Sequence, residues 1–329
     1  MARADLLKKL FSSFKQDNKE MFYAVASEII EDEKKKNHGI LADDLKLILN
    51  GNYQKKSINT LSSNTPRDKD KDMPLIEVIY PEKYFSDLIL SDNRIIQLEQ
   101  IIKEFNNWEV LVSNGVFPTR RALFYGPPGC GKTLAAQALA GEIGIPMLYV
   151  RFDALISSYL GETASNISKV FDYAKKDSWL IFFDEFDAIG RSRNDSTEHG
   201  EIKRVVNAFL QQIDNYKGRS LIIAATNFEQ SLDYAIWRRF DETIRFDMPS
   251  HDEKMKLFEL KMKRFKGPVH VLEQYMNELE MFSHSDVEKV CQIIMKQCIL
   301  DGKKIYTKND IEQAVKKQEK NVSLRKTQY

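Results

Sequence analysis

The sequence has almost no excess charge. Its 49 lysines and arginines face 48 aspartates and glutamates, a formal net charge of +1. An overall basic surface built to coat a polyanion is therefore disfavoured, although a local basic patch is not. Cysteine is scarce as well. Three in 329 residues is an odd number with no disulfide framework, which points to a reducing compartment. Long apolar runs are missing: Trp179 to Phe183 and Leu221 to Ala225 fall far short of the ~20 residues a spanning helix needs. Met1 to Phe14 alternates charge and leucine without a continuous apolar core, so no secretory signal is expected and the cytoplasm is the expected location. His38, His199, His251, His270 and His284 never form an H-E-x-x-H pair, which excludes a fused zinc protease of that type. Nothing repeats at a fixed period, so solenoids and propellers are excluded.

What is present is ordinary for a globular chain, with 43% hydrophobic and 29% charged residues. Four stretches differ in texture. Residues 1–51 read as a small helical bundle. Leu6, Leu7, Leu10, Phe11 and Phe14 share one helical face, Phe22, Val25, Ala26, Ile29 and Ile30 a second, and Leu41, Leu45, Ile48 and Leu49 a third that stops near Asn50-Gly51. Such a bundle serves equally as a packing unit or as an adaptor for a partner. Residues 52–73, rich in Asn, Ser, Lys and Asp, read as a flexible tether. Residues 74–249 alternate short apolar runs with amphipathic ones, the pattern of a parallel α/β sheet flanked by helices. Its strand candidates are 122–125, 147–152, 180–183, 221–225 and 244–246. After Pro249 only helical patterns remain (252–266, 269–280, 285–300 and 308–320), so residues 250–329 are expected to form an appended helical subdomain.

Gly126-Pro127-Pro128-Gly129-Cys130-Gly131-Lys132-Thr133 fits G-x-x-x-x-G-K-[ST] and lies between a strand candidate and an Ala- and Leu-rich helix. Glycines there let successive backbone N–H groups turn inward around phosphate oxygens, and the following helix adds the positive end of its dipole. Lys132 is placed to reach the β- and γ-phosphates of ATP, and the Thr133 hydroxyl to ligate Mg2+. A second motif follows about 50 residues later. Leu180-Ile181-Phe182-Phe183 is a buried-strand run that ends in Asp184 and Glu185. Neighbouring side chains at a strand end point different ways, so Asp184 can face the metal while Glu185 faces a water poised to attack.

Together these motifs resemble a AAA+ ATPase of the group that includes katanin, spastin, the proteasomal regulatory ATPases and the ATPase part of membrane-bound zinc proteases. The resemblance runs from about Tyr84 to Lys320. It implies a nucleotide-binding subdomain with a helical lid, and Gly126 through Leu134 as the nucleotide cradle. It also implies that Asn227, ending Ile222-Ile223-Ala224-Ala225-Thr226-Asn227, hydrogen-bonds the attacking water or the γ-phosphate. Arg238 and Arg239, in Asp233-Tyr234-Ala235-Ile236-Trp237-Arg238-Arg239-Phe240-Asp241, would then act across a subunit boundary, where a planar, always-charged guanidinium suits a transferring phosphoryl group. Tyr159, Leu160 and Gly161 would form a central pore loop that grips extended polypeptide. Asn194 to Glu201 is a weaker match to a second such loop.

The chain departs from the family in two places. Where the lid's nucleotide-facing turn usually reads S-G-A-D, this chain has Ser283-His284-Ser285-Asp286. His284 either tunes the site or points to solvent, and the second is the expectation. Cys130 replaces a more usual Thr or Ser and reads as a tolerated small residue. Cys291 and Cys298 lie seven apart on one helix face and read as core. The expected function is an ATP-hydrolysing homo-oligomeric ring, a hexamer, that threads or remodels protein and can feed a separate protease or adaptor through its N-terminal bundle. A nucleic-acid loader and an ATP-switched scaffold are the alternatives. The loader is opposed by the near-zero net charge and by a Tyr-Leu-Gly loop without Lys or Arg.

Overall fold

In the computed structural model the described residues are 4–15, 18–35, 42, 45, 46, 49, 65–68, 72–150, 155, 163–186, 199–228, 234–275 and 279–326. Their centre is a six-stranded sheet in the order β1-β3-β4-β5-β2-β6. The strands are β1 (Ile76–Ile79), β2 (Arg121–Tyr125), β3 (Met147–Val150), β4 (Leu180–Phe183), β5 (Leu221–Thr226) and β6 (Glu242–Arg245). All neighbours are parallel except β1, which joins β3 antiparallel at the edge. The α/β class expected from the alternation is the class observed. The edge strand was not expected, because Ile76-Glu77-Val78-Ile79 is four residues long and only half-buried.

Strand residues alternate faces, and the sequence fills both with apolar side chains. Ile181 and Phe183 of β4 join Leu123, Ile222 and Ala224 on one side, with Phe171, Phe209 and Tyr216 from the helices. Leu180 and Phe182 join Phe124, Ile223 and Ala225 on the other, with Ala135, Ala136, Leu139 and Ile143. The first layer is cemented by rings: the Phe183 and Phe209 centroids lie 4.8 Å apart at 83°, a geometry that adds to simple area burial. Helices α3 (Asp92–Asn106), α4 (Trp108–Ser113), α5 (Lys132–Ile143), α6 (Thr163–Ala174), α7 (His199–Asn215) and the short α8 (Tyr234–Trp237) complete this unit.

The C-terminal helices α9 (His251–Met262), α10 (His284–Leu300) and α11 (Lys308–Lys326) enclose a separate apolar cluster around Phe258, Phe282, Cys291, Ile294 and Tyr306. Cys291 and Cys298 are both buried there. Of the helix expected over 269–280, Val269–Tyr275 is a 3₁₀ helix, and 276–278 lie outside the described residues. Capping boxes start α9 at Ser250/Glu253 and α10 at Ser283/Asp286, satisfying backbone N–H groups that a helix cannot pair internally.

At the N-terminus α1 (Ala4–Lys15) and α2 (Lys19–Lys35) form a hairpin. Leu6, Val25 and Ile29 make its core, with Leu10 and Leu45 packed against them. The face expected on α1 is only partly inward. Leu7, Phe11 and Phe14 are exposed, because the buried line runs 6–10–13 and an arc that includes 7, 11 and 14 is wider than one partner can cover. Most of the expected third helix lies outside the described residues. Part of the expected tether is docked: Asp68 is buried and accepts from Asn166 Nδ2 of α6 at 2.8 Å.

Candidate nucleotide site

Strands β2, β4 and β5 share one register, with Tyr125 opposite Thr226 and Phe183 opposite Ala224. Gly126, Asp184 and Asn227 therefore emerge together at the carboxyl edge of the sheet, where open parallel sheets bind ligands. The loop 126–131 needs its glycines for different reasons. Gly126 has φ +131°, and a Cβ there would lie 2.1 Å from the Phe246 carbonyl oxygen. Gly129 has φ +76°, and its Cβ would meet the hydroxyls of Ser283 and Ser285. The turn ends at the N-terminus of α5, whose dipole and free N–H groups suit an anion.

Lys132 is buried and donates to the carbonyls of Gly126 and Pro127 at 2.7 and 2.9 Å, so its ammonium sits over the loop. Thr133 Oγ1 donates to Asp184 Oδ2 at 3.0 Å. A hydroxyl and a carboxylate so placed fit a hard divalent cation. A metal held by one or two protein oxygens takes its other ligands from waters and phosphate oxygens. Glu185 is exposed and adopts φ +50°, with its N–H donating to Asp184 Oδ1 at 2.9 Å. A positive φ is uncommon outside glycine and is retained where it aims a side chain. Here it separates Glu185 from the inward Asp184. Cys130 turns into the core beside Met248 Sδ at 3.8 Å, and burial pushes its thiol up to about 11. The thiol also donates to the Pro128 carbonyl of the loop at 3.9 Å. Leu134 likewise leans on the core.

The lid reaches the loop directly. Ser285 N–H donates to the Gly129 carbonyl at 3.0 Å, and Asp286, which caps α10, accepts from Gln318 Nε2 of α11 at 2.7 Å. His284 does not point to solvent as expected. Both ring nitrogens are buried without hydrogen-bond partners, and burial holds the ring below its ordinary 6.5. The sequence could not show this, because the covering residues Ile89, Arg94, Glu253 and Lys254 come from distant segments.

Arg238 and Arg239 lie elsewhere. Arg238 is exposed and its guanidinium sits 5.1 Å from the Tyr234 ring centroid. Arg239 pairs with Asp214 at the end of α7, and Asp214 also faces Arg121 at 3.5 Å. Arg121 in turn pairs with Asp241 at 2.7 Å. Arg121 opens β2 whereas Gly126 follows its far end, one strand length or ~17 Å away. Asp214 and Arg121 had no motif to mark them. Tyr159, Leu160, Gly161 and positions 194–198 lie outside the described residues.

The family model "ATPase family associated with various cellular activities (AAA)" matches residues 122–248. The AAA family ATPase y4kL of Sinorhizobium fredii (strain NBRC 101917 / NGR234) is 40% identical over 324 residues, 96% of this chain and 95% of that protein. The chain belongs to the AAA family. It is an ATPase, and its chemistry uses ATP with a divalent metal. A putative 26S proteasome regulatory subunit homolog of Methanocaldococcus jannaschii is 34% identical, across 71% of this chain and 63% of that protein. The proteasome-activating nucleotidase of Saccharolobus solfataricus is 31% identical, across 79% and 68%. The crystal structure of the FIGL-1 AAA domain superposes with a TM-score of 0.60 at 23% identity, over 74% of this AAA chain and 85% of that one, a likeness of fold. No described helix is long and apolar enough to cross a membrane.

Proposed function

We propose that this AAA ATPase is a homo-oligomeric, hexameric ring motor that uses ATP and Mg2+ to remodel or thread protein substrates. The observation that carries the reading is the position of Arg239. Its clasp to Asp214 and Arg121 anchors it at the opposite end of β2 from its own phosphate loop. A reach of ~17 Å exceeds any side chain, so a catalytic role for this guanidinium would be played in a neighbour's site. A residue donated in trans requires a neighbouring subunit, and a head-to-tail contact of this kind makes a ring where the rotation closes.

Within each site Lys132 and the loop N–H groups hold the phosphates. Glu185 orients the water and takes its proton, while Asn227 hydrogen-bonds that water or the γ-phosphate. Mg2+, held by Thr133 and through Asp184, would supply charge neutralisation of the phosphate oxygens. Arg238 and Arg239 of one subunit stabilise the charge that develops in the next. The relatives named for the proteasome support protein as substrate, and with it a separate protease as partner. We read 1–51 as the adaptor bundle, 52–73 as the tether, 74–249 as the nucleotide-binding unit and 250–329 as the lid. Three unpaired cysteines, all buried, agree with a cytoplasmic setting.

The test is Tyr159→Ala. An aromatic side chain offers ~150–250 Å² of contact that is indifferent to substrate sequence. The variant is expected to keep basal ATPase and ring assembly while losing stimulation by, and unfolding of, a tagged fluorescent model protein. Loss of single-stranded-DNA stimulation alone, with protein unfolding intact, would replace the reading with a nucleic-acid motor. Indifference to both substrates would return the protein to an ATP-switched scaffold.

A further inference from the structure

The chain that links the N-terminal hairpin to the sheet is fastened just before it enters β1. Its last residues close on themselves. Asp68 N–H donates to the Met73 carbonyl and Leu75 N–H to the Pro66 carbonyl, both at 3.0 Å, and Arg67 and Pro74 form an antiparallel bridge. Arg67 Nη1 also donates to the Asp72 carbonyl at 3.0 Å and to its carboxylate at 2.7 Å. This closed loop sets the buried Asp68 against α6, where its carboxylate accepts from Asn166 Nδ2, itself fully buried. Lys169 Nζ donates in turn to Asn166 Oδ1 at 2.8 Å and to the Arg67 carbonyl at 3.2 Å. A buried carboxylate gains little net stability over an apolar contact, because desolvation offsets the attraction, but it holds its partner in one geometry. A plain anchor would be served as well by apolar side chains.

Strand order says what this latch fastens. β1 follows the closed loop directly, and Ile76 pairs with Val150, the last residue of β3. α6 begins at Thr163, so β3 and α6 are the two roots of 151–162, the stretch that contains Tyr159. Residues 65–79 therefore hold both roots, one through Asp68 and the other through strand pairing. Leu75 and Ile76 also share an apolar cluster with Ile167 of α6 and with Leu155. The row continues inward, since Val150 pairs with Phe183, the residue before Asp184 and Glu185. The entry of the tether thus lies two strand spacings, ~10 Å, from the strand end that carries the acidic pair.

We propose that the Asp68–Asn166–Lys169 contact is a coupling latch through which the N-terminal unit and the 151–162 stretch set the rate of ATP hydrolysis when protein is engaged. Asp68 and Asn166 are then positioning residues, outside both the phosphate loop and the acidic pair. The proposal rests on the motor reading above, in which Tyr159 grips substrate. A pull on either the N-terminal unit or Tyr159 reaches the same two roots. With the latch closed, α6 and β3 move as one body and the displacement passes along the Ile76–Val150–Phe183 row to the acids. With it open, α6 shifts alone and the displacement is lost before it reaches β4.

The experiment compares ATPase rates of the full chain, with and without a tagged fluorescent model protein, among the native sequence, Asn166→Asp, Asp68→Asn and the two exchanges combined. Asn166→Asp sets two carboxylates against each other. The combined exchange restores one carboxylate and one amide in reversed places and leaves Lys169 an acceptor. Losing a hydrogen bond to a charged group shifts an equilibrium by roughly tenfold or more. Asn166→Asp should therefore cut the protein-stimulated increment about tenfold at an unchanged basal rate, and the combined exchange should recover it. A merely structural contact would lower both rates by one factor. That result, native-like stimulation in Asn166→Asp, or a combined exchange that recovers nothing would overturn the proposal. Should Asn166→Asp fail to fold, the same split between basal and stimulated rates is required of Asp68→Asn, which is isosteric and removes only the charge. Tyr159→Ala separates the two levels. Full stimulation in that variant, or none in the native chain, overturns the motor reading and the latch with it. Silence in Tyr159→Ala beside full stimulation in Asn166→Asp overturns the latch alone.

Discussion

Replacing Gly126 by alanine tests the packing that shapes the phosphate loop. The residue sits at φ +131°, and the added Cβ would stand 2.1 Å from the Phe246 carbonyl oxygen. That oxygen is backbone and cannot rotate away. Restoring ordinary contact needs a displacement of ~1 Å, which strains the Phe246 N–H to Tyr125 carbonyl bond of 2.8 Å and the Phe124–Phe246 ring pair. Backbone strain costs about 1–3 kcal/mol, the hydrogen bond about 1, and the disturbed rings about 1 more. The sum is roughly 3–5 kcal/mol, a large share of a typical domain's stability. The companion is Gly131→Ala. Its φ is +95°, yet nothing lies within 4 Å of the added Cβ, so only strain of about 1–2 kcal/mol remains. By thermal unfolding Gly126→Ala should melt roughly 10 °C lower and Gly131→Ala a few degrees lower. Equal melting shifts for the two would refute the argument that the Phe246 carbonyl, and not the dihedral alone, demands glycine.

Glu185→Gln is expected to keep ATP affinity while turnover nearly vanishes, because an amide cannot take the water's proton; near-normal phosphate release would remove Glu185 from the mechanism. Arg238→Ala and Arg239→Ala should each slow hydrolysis by roughly 10³-fold with little change in nucleotide affinity. Mixing an arginine-deficient chain with a Glu185→Gln chain should restore activity, and confirmed mixed assemblies that stay inactive would argue against action in trans. His284 predicts a pH effect. Its folded-state value is lowered by burial, so below its ordinary 6.5 the unfolded chain binds a proton that the folded one refuses. Stability should fall as pH drops through that value, and His284→Ala should flatten the slope in urea titrations at pH 7.5 and about 5.5.

The phosphate loop and the acidic pair were legible because each is contiguous in sequence and bounded by a strand whose apolar run is unmistakable. Lys132, Thr133, Asp184 and Asn227 then converge through parallel register, which needs only that the strands be neighbours. The edge strand β1 was not legible, since Ile76–Ile79 has no turn signal of its own and is defined by pairing with β3, about 70 residues later. The burial of His284 depends on Ile89 and Arg94, nearly 200 residues away in sequence, and periodicity carries no information at that range. On α1 the apolar residues outnumber those a single neighbour can cover, and the pattern alone could not say whether Leu6 or Phe11 faces inward.

The clasp on Arg239 makes β2 a connecting rod. One end of this strand carries the proposed phosphate loop, and the other carries Arg121, bound through Asp214 to the arginine proposed to serve the adjoining site. Five residues in a central parallel strand, paired on both sides to β5 and β6, behave as a stiff element. In the proposed ring, a shift of the loop on nucleotide arrival would travel along the strand axis and would arrive as a displacement of Arg239. In the proposed ring each subunit would load before its neighbour fires, and the order of firing would be written into the direction of a single strand.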